Sequence, residues 1–313
     1  MALVSVLIPA YNAEGIILRA LDSARSQTIS DIEIIVVDDA STDGTVALVE
    51  GISAFDARIR LLKRGTNGGP AAARNMGLYF AEGEWIALLD ADDAMQPQRL
   101  ERLLARAGKQ DVLVADNLEM YDFQAQQVAR IGIDPALIGD GLRLDARGYV
   151  ARCRTNQPRA VDFGLLKPLI RASHLRKHSL TYDETARHGE DFRFYLDALL
   201  AGGSLLLLPE AYYRYTERTG SISGRKSGVS QTNARYDQLE ADTRTMAADR
   251  RYSSVTEGLH ARADALRSLA KVASFRRQSN LGKLARFPAA LADPDMRTYI
   301  GAAIRTRLQR VTS

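Results

Sequence analysis

A single cysteine in 313 residues, Cys153, leaves no partner for an intramolecular disulfide and no basis for a multi-cysteine metal site. Such sparing use of thiols favours a reducing compartment, and the residue reads as a small core side chain. Histidine is scarce as well: His174, His178, His188 and His260 are scattered and fall in no metal-ligand spacing. No apolar run approaches the ~20 residues that a bilayer-spanning helix needs. The opening Met1-Ala2-Leu3-Val4-Ser5 has no basic n-region and its apolar stretch breaks at Pro9, so no signal peptide is expected. Internal repeats and low-complexity segments are missing too.

What is present suits a folded chain with a sizeable core, either one large α/β domain or one with an appendage. The hydrophobic fraction of 46% and the charged fraction of 26% are ordinary for a globular protein. Charge is distributed unevenly. Residues 251–313 hold twelve Lys or Arg and four Asp or Glu, a net of +8, so against a whole-chain +4 the first 250 residues carry −4. A basic tail of this kind suits nucleic acid, an anionic membrane surface, or water alone.

The first part of the chain alternates strand and helix patterns. Val4–Ile8, Ile32–Val37, Ile59–Leu62, Trp85–Leu89 and Val112–Ala115 read as strands, and Ile16–Ser26, Thr42–Ile52 and Pro70–Phe80 as helices. This alternation implies right-handed βαβ units, hence an α/β fold with a mostly parallel Rossmann-like sheet flanked by helices. From Asn117 to Arg187 the pattern is mixed. A helix follows over Glu190–Leu200, ended by Gly202-Gly203, then a strand Ser204–Leu208 that stops at Pro209 and a further strand Ala211–Thr216. Gly220–Ser230 reads as a loop, and helical patterns cover Gln231–Met246, Val255–Phe275 and Asp295–Leu308. The boundary is placed at 225/226, between a catalytic domain (1–225) and a basic helical region (226–313).

Chemistry concentrates where strands end. Directly after Trp85–Leu89 stand three carboxylates in four positions, Asp90-Ala91-Asp92-Asp93. At the carboxyl end of a buried strand they face the crevice where open α/β sheets bind ligands. A hard divalent cation would relieve their repulsion and would bring substrate phosphate oxygens with it. Taken alone, the same acids suit a loop capping the helix Gln98–Arg106. Four other clusters fall at comparable places. Tyr11 closes the first strand with a ring able to stack on a base. Asp38-Asp39 ends the second, followed by Ser41 and Thr42 as candidate caps. Asn67-Gly68-Gly69-Pro70 opens a small-residue helix bearing Arg74, without the spacing of a P-loop or dinucleotide turn. Glu190-Asp191 opens a later helix, where the dipole favours acids but where a carboxylate is also placed to take a proton from an attacking hydroxyl.

Five segments, Pro9-x-Tyr11-Asn12, Val37-Asp38-Asp39-x-Ser41-x-Asp43-Gly44-Thr45, Asn67-x-Gly69-x-x-x-Ala73-Arg74-Asn75-x-Gly77, Asp90-x-Asp92-Asp93 and Gly189-Glu190-Asp191, occur in the order and spacing of a family 2 glycosyltransferase of the GT-A fold. The resemblance spans roughly residues 3–225. It implies inverting transfer of a sugar from a nucleotide diphosphate donor, with a UDP-sugar as the expected one. Pro9, Tyr11 and Glu14 would line the nucleoside pocket, Asp39 would bind the base, and Arg74 would reach base or phosphate. Asp90 would contact the ribose and Asp92 would hold Mn²⁺ or Mg²⁺ on the diphosphate. Asp191 would be the general base, with Glu190 as neighbour or substitute. Asp93 is left to orient its neighbours or cap the next helix. Lys167-Pro168-Leu169-Ile170 and Tyr213-Arg214-Tyr215, with Gly220-Ser221-Ile222-Ser223, resemble bacterial succinoglycan-type exopolysaccharide transferases, in which Ser221 and Ser223 would close over the diphosphate. The implied acceptor is a saccharide, lipid-linked, and the implied location cytoplasmic or peripheral on the inner face of the membrane.

Outside the resemblance, Leu266, Leu269, Val272, Ala273 and Phe275 share one side of a helix while Arg267, Lys271, Arg276 and Arg277 supply charge. The pattern fits either an anionic membrane surface or packing on the rest of the protein. No nucleic-acid motif accompanies the charge, so nucleic acid is not an expected partner. Two alternatives from other classes stay in view, a non-catalytic GT-A-like scaffold in an envelope assembly complex and a sugar nucleotidyltransferase. The acidic motifs argue against the first, and Pro9-Ala10-Tyr11-Asn12 in place of a lysine-bearing glycine loop against the second.

Overall fold

A computed structural model describes residues 2–153, 161–186, 188–217 and 229–276, with isolated positions at 292, 296, 297 and 300. The chain divides into two compact units, residues 1–149 with 163–218, and residues 150–162 with 219–313. Residues 150–162 therefore group with the helical unit, where the sequence carries no boundary signal.

The first unit begins with β1 (Val4–Ala10), α1 (Ile17–Arg25), β2 (Ile32–Asp38), α2 (Thr45–Ser53), β3 (Ile59–Lys63), α3 (Gly69–Phe80) and β4 (Trp85–Leu88). β1, β2 and β4 are largely apolar runs, as strands covered on both faces of a parallel sheet must be, and are buried almost throughout, whereas β3 at the sheet edge carries Arg60 and Lys63. Pairing is parallel for β1 with β2, β2 with β3 and β1 with β4. The small side chains of α3 let it lie close on the sheet. At Gly77 an added Cβ would stand 3.3 Å from Leu7 and 3.4 Å from Val37.

The second half departs from the parallel pattern. It runs through β5 (Ala94–Met95), α4 (Arg99–Arg106), β6 (Asp111–Asp122), β7 (Gln127–Ile131), β8 (Leu142–Leu144), α5 (Ala146–Arg152), β9 (Leu169–Arg171), α6 (Ala172–His178), α7 (Glu190–Leu200) and β10 (Ser204–Glu217). Among the described residues ten strands make one sheet, ordered β3-β2-β1-β4-β9-β6-β10-β5, with β7 on β6 and β8 on β10. Short β9 runs antiparallel between β4 and β6. The sheet is thus mixed beyond β4. Pro209 does not end a strand: β10 continues through it to Glu217, and the register against β6 shifts between Leu207 and Tyr213. A proline is tolerated at such an irregularity because no ladder bond is asked of it there. Gly202 and Gly203, at φ of 109° and 100°, turn the chain from α7 into β10, a conformation open to glycine at little steric cost.

In the second unit α8 (Val229–Ala248) and α9 (Thr256–Arg276) pack on one another. Leu259, Ala263 and Leu266 are buried, whereas Leu269 and Val272 are half-buried. Two ion pairs cross between the helices, Arg244 with Asp264 at 2.7 Å and Arg267 with Glu240 at 2.5 Å, so part of the basic face is neutralised by its neighbour. Buried Arg262 pairs with Asp162 at 2.7 Å and tethers residues 150–162 to α9. No helix among the described residues is long and apolar enough to cross a membrane.

Candidate active site

The carboxyl ends of β1 and β2 are sewn together by their loops. Asn12 and Ala40 both adopt left-handed backbone, φ 47° and 62°, a conformation that is strained for alanine and persists where surrounding bonds impose it. Those bonds are present. The Asn12 N–H donates to Ser41 Oγ at 2.9 Å, the Thr42 N–H to Asn12 Oδ1 at 2.8 Å, and the buried Ala13 N–H to Thr45 Oγ1 at 2.8 Å. Glu14 belongs to this seam: its carboxylate accepts the Gly44 N–H at 3.0 Å. Neither Ser41 nor Thr42 caps α2; Asp43 instead accepts from the Thr45 N–H and hydroxyl. Pro9 is half-buried, and Tyr11 stands at the rim with half its surface exposed.

Asp39 is buried, and its carboxylate is enclosed by donors. It accepts the N–H groups of Gly68 at 3.0 Å and Gly69 at 2.7 Å and pairs with Arg64 at 2.8 Å. The glycine turn before α3 can approach this closely because Gly69 sits at φ 84°. Its neighbour Asp38 accepts the Ser41 N–H through one oxygen, and the other oxygen is buried without a hydrogen-bond partner. An unmet acceptor at a strand end favours an incoming donor such as a base imide N–H or a water.

Arg74, Asp90, Glu190 and Asp191 meet in one buried cluster, brought together from α3, the turn after β4 and the first turn of α7. The Arg74 guanidinium lies 2.8 Å from Asp90, 3.0 Å from Glu190 and 3.5 Å from Asp191. A fifth member, Lys167, enters just before β9, with Nζ 3.0 Å from Asp90 and 2.5 Å from Asp191. Tyr182 completes the shell, donating to Asp191 at 3.1 Å beneath the Arg74 guanidinium. Two cations and three carboxylates are therefore held with little water. Burial works against the charge on Arg74, yet Asp191, Asp90 and Glu190 hold its pKa well above the ordinary value. Lys167 is raised in the same way, against burial, by Asp191 and Asp90. Asp90 runs the other way: burial opposes ionisation, but Lys167 and Arg74 keep it below the usual carboxylate range. The buried Tyr195 hydroxyl has no hydrogen-bond partner, and burial and the charge of Asp191 push its pKa up.

The acid turn itself separates into different environments. Asp90 belongs to the cluster just described. Asp93 is 2% exposed and points to β10, accepting from the Tyr213 hydroxyl at 2.7 Å and the Thr216 N–H at 2.8 Å. Burial, then the charges of Asp92 and Asp90, raise its pKa well above the ordinary value. None of the three acids caps α4, whose N-terminus has no side-chain cap. Asp92 borders a pocket of about 170 Å³ also lined by Gly15, Ile16, Leu18, Arg19 and Phe123. Among the described residues no group of three or more His, Cys, Asp or Glu is assembled to cage a metal. The donor chemistry still fits a hard divalent cation, since the turn offers carboxylate oxygens and Mg²⁺ or Mn²⁺ on a diphosphate needs only one or two from the protein. Asp90 is engaged by Arg74 and Lys167, and Asp92 is the acid to which the family resemblance gives the metal. Ser221 and Ser223 lie outside the described residues.

Lys167 stands out in the sequence only as part of Lys167-Pro168-Leu169-Ile170, with no role attached to it, and Tyr182 and Tyr195 carry no motif. Lys167 stands 77 positions from Asp90 in the chain, and its two carboxylate partners are what mark it.

A doubly wound front half, a mixed back half and an acid turn at the carboxyl edge of β4 define a GT-A glycosyltransferase fold. Residues 5–156 match the model of glycosyl transferase family 2. The succinoglycan biosynthesis protein ExoO of Rhizobium meliloti (strain 1021) is 33% identical over 99% of this chain and 87% of its own. The chain belongs to glycosyl transferase family 2. Among solved structures, S. aureus TarS 1–349 in complex with UDP-GlcNAc superposes with a TM-score of 0.61 at 23% identity, covering 83% of this chain and 72% of that one. The mannosyltransferase PcManGT of Pyrobaculum calidifontis in complex with GDP-Man and Mn²⁺ gives 0.60 at 19%, covering 95% and 82%.

Proposed function

We propose that this glycosyltransferase moves a sugar with inversion from a UDP-sugar to a saccharide acceptor, lipid-linked, during assembly of a bacterial exopolysaccharide. The observation that carries this reading is the cluster of Arg74, Asp90, Lys167, Glu190 and Asp191 beside the Asp92 turn at the carboxyl edge of the sheet. Family membership and the likeness to ExoO support the substrate class, and the nucleotide sugars bound to TarS and PcManGT support the donor.

In this reading the family's roles are carried over residue by residue. Tyr11 at the rim offers a ring face to the base, Pro9 lines the same pocket, and Asp39, which also holds the glycine turn before α3, meets the base. Glu14 lines the pocket as well, with its carboxylate braced by the Gly44 N–H. Asp90 meets the ribose, and Arg74 orients Asp90 while supplying positive charge toward the phosphates. Asp92 would hold Mn²⁺ or Mg²⁺, which supplies electrophilic stabilisation of the leaving diphosphate. Asp191 accepts the proton of the acceptor hydroxyl as that oxygen bonds to the anomeric carbon; the electron pair of the breaking C–O bond leaves on the nucleoside diphosphate. Lys167 and Tyr182 fix the Asp191 carboxylate, so that its proton-accepting geometry exists before the acceptor arrives. Ser221 and Ser223 are assigned to the diphosphate, the exposed basic residues of the helical region to an anionic membrane surface, and the location to the cytoplasmic face.

The test is a panel of UDP-sugars with Mn²⁺ and membrane extract, scored by transfer of label to lipid-linked saccharide. Transfer from one UDP-sugar, lost in Asp92→Asn and Asp191→Asn, is the expected result. Unchanged transfer in both variants, or no binding of UDP by calorimetry, refutes the assignment.

A further inference from the structure

Asp92 can orient a cation only as well as its own backbone is held, and the turn that carries it has no regular structure. Three bonds fasten that turn to β10. The Asp93 carboxylate takes the Tyr213 hydroxyl on one oxygen and the Thr216 N–H on the other. The Tyr213 hydroxyl in turn accepts the Asp90 N–H at 3.3 Å. A fourth bond comes from the opposite side. Arg19 of α1 donates to the main-chain carbonyl of Asp92 itself and to the Thr216 hydroxyl at 2.5 Å, joining helix, turn and strand through one guanidinium. That guanidinium lies 5.3 Å from the ring of Tyr121 and 5.8 Å from that of Phe123, which limit its movement. Among the described residues Arg19 forms no ion pair with a carboxylate, so its bonds to the turn are not a by-product of charge neutralisation elsewhere.

We infer that Arg19 and Asp93 are positioning residues for the divalent cation: Asp93 anchors the acid turn to β10, and Arg19 fixes the peptide of Asp92, so that the Asp92 carboxylate is aimed before the metal arrives. The inference rests on the reading above that Asp92 is the metal ligand. Neither residue touches the cation. Groups that orient a metal ligand typically contribute 10–100-fold to affinity, because without them the ligand must be ordered at the moment of binding. Arg19 and Thr216 bond to each other as well as to the turn, so loss of either partner slackens α1 and β10 against it together.

The experiment titrates Mn²⁺ into the full chain in the presence of UDP and follows free Mn²⁺ by electron paramagnetic resonance. Wild type, Asp92→Asn, Arg19→Met, Arg19→Lys and Asp93→Asn are compared, with a thermal melt of each. Arg19→Met and Asp93→Asn are expected to weaken Mn²⁺ at least about tenfold, and Arg19→Lys, which keeps one donor, to fall between. In transfer assays the Arg19→Met defect should appear as a raised Mn²⁺ requirement, with kcat recovered at saturating Mn²⁺; a merely structural lesion lowers kcat at every concentration. Half-buried Arg19 keeps the test open if Asp93→Asn fails to fold. Affinity within twofold of wild type in folded Arg19→Met, with Mn²⁺ lost in Asp92→Asn, overturns this inference alone. Full Mn²⁺ binding by Asp92→Asn, or none by wild type, removes the metal-ligand reading and the inference with it.

Discussion

Replacing Lys167 by Met is the sharpest perturbation of the carboxylate cluster, because it removes one of two cations that face three acids. Its ammonium touches Asp191 at 2.5 Å and Asp90 at 3.0 Å while itself only 3% exposed. Breaking a buried pair by deleting one partner costs about 3–5 kcal/mol, since the remaining charge keeps its desolvation without its attraction. Asp90 retains 24% of its side-chain exposure, so water recovers part of that. We expect about 3 kcal/mol, the lower end of the range. With an m-value of about 2 kcal/mol/M in urea, the midpoint falls by roughly 1.5 M. The single tryptophan, Trp85, is buried at the start of β4 and reports the transition by fluorescence. The pH dependence follows from the direction of the shifts. Folded Asp90 is held below its unfolded value, so its contribution is complete above the unfolded pKa of about 3.9 and is lost only as pH falls through the lower folded value. Lys167, raised above the ordinary lysine value, stays charged throughout this window. The gap between wild type and Lys167→Met is therefore widest at pH 7 and narrows toward about pH 4, where Asp90, without Lys167 beside it, can take a proton instead. Lys167→Arg, which keeps the charge, recovers part of the loss. A midpoint change below about 0.5 M at pH 7, or a gap that grows on acidification, refutes the account.

Other expectations test separate parts of the molecule. Asp191→Asn lowers kcat about 10²–10⁴-fold while UDP affinity by calorimetry stays near wild type, and Glu190→Gln has the smaller effect on kcat. Arg99→Met destabilises by about 3–5 kcal/mol in a thermal or urea melt, because fully buried Asp116, paired with Arg99 at 2.8 Å, is left facing only the Tyr212 N–H. Gly77→Val lowers stability by about 1–3 kcal/mol in the same assay, since new methyls drive α3 off Leu7 and Val37.

The front half of the fold was legible because its physics is local. A strand covered on both faces must be an apolar run, and Val4–Ala10, Ile32–Asp38 and Trp85–Leu88 are such runs separated by periodic helices. The back half depends on contacts that no local pattern reports. Three residues of β9 run antiparallel because β4 and β6 leave a slot there, and a three-residue strand has too little periodicity to declare its direction. Pro209 is punctuation in the sequence, yet the pairing of β10 with β6 resumes after it and outweighs the missing donor.

The site divides along the same line. Acids after buried strands announce themselves, because an anion at the end of an apolar run has few structural reasons to be there. Their counter-charges do not. Lys167 precedes a proline in a region of mixed pattern and Tyr213 lies inside a strand, and their partners appear only when the fold sets each against a carboxylate; Arg19 sits among the periodic residues of an ordinary amphipathic helix until the fold sets it against the main-chain carbonyl of Asp92. A sequence therefore displays the groups that bear the cost of a charged crevice more openly than the groups that offset it. The same asymmetry explains why Asp93, which its motif leaves either to orient its neighbours or to cap the next helix, finds its partners only in Tyr213 and Thr216, more than a hundred residues away along the chain and 2.7 to 2.8 Å away in space.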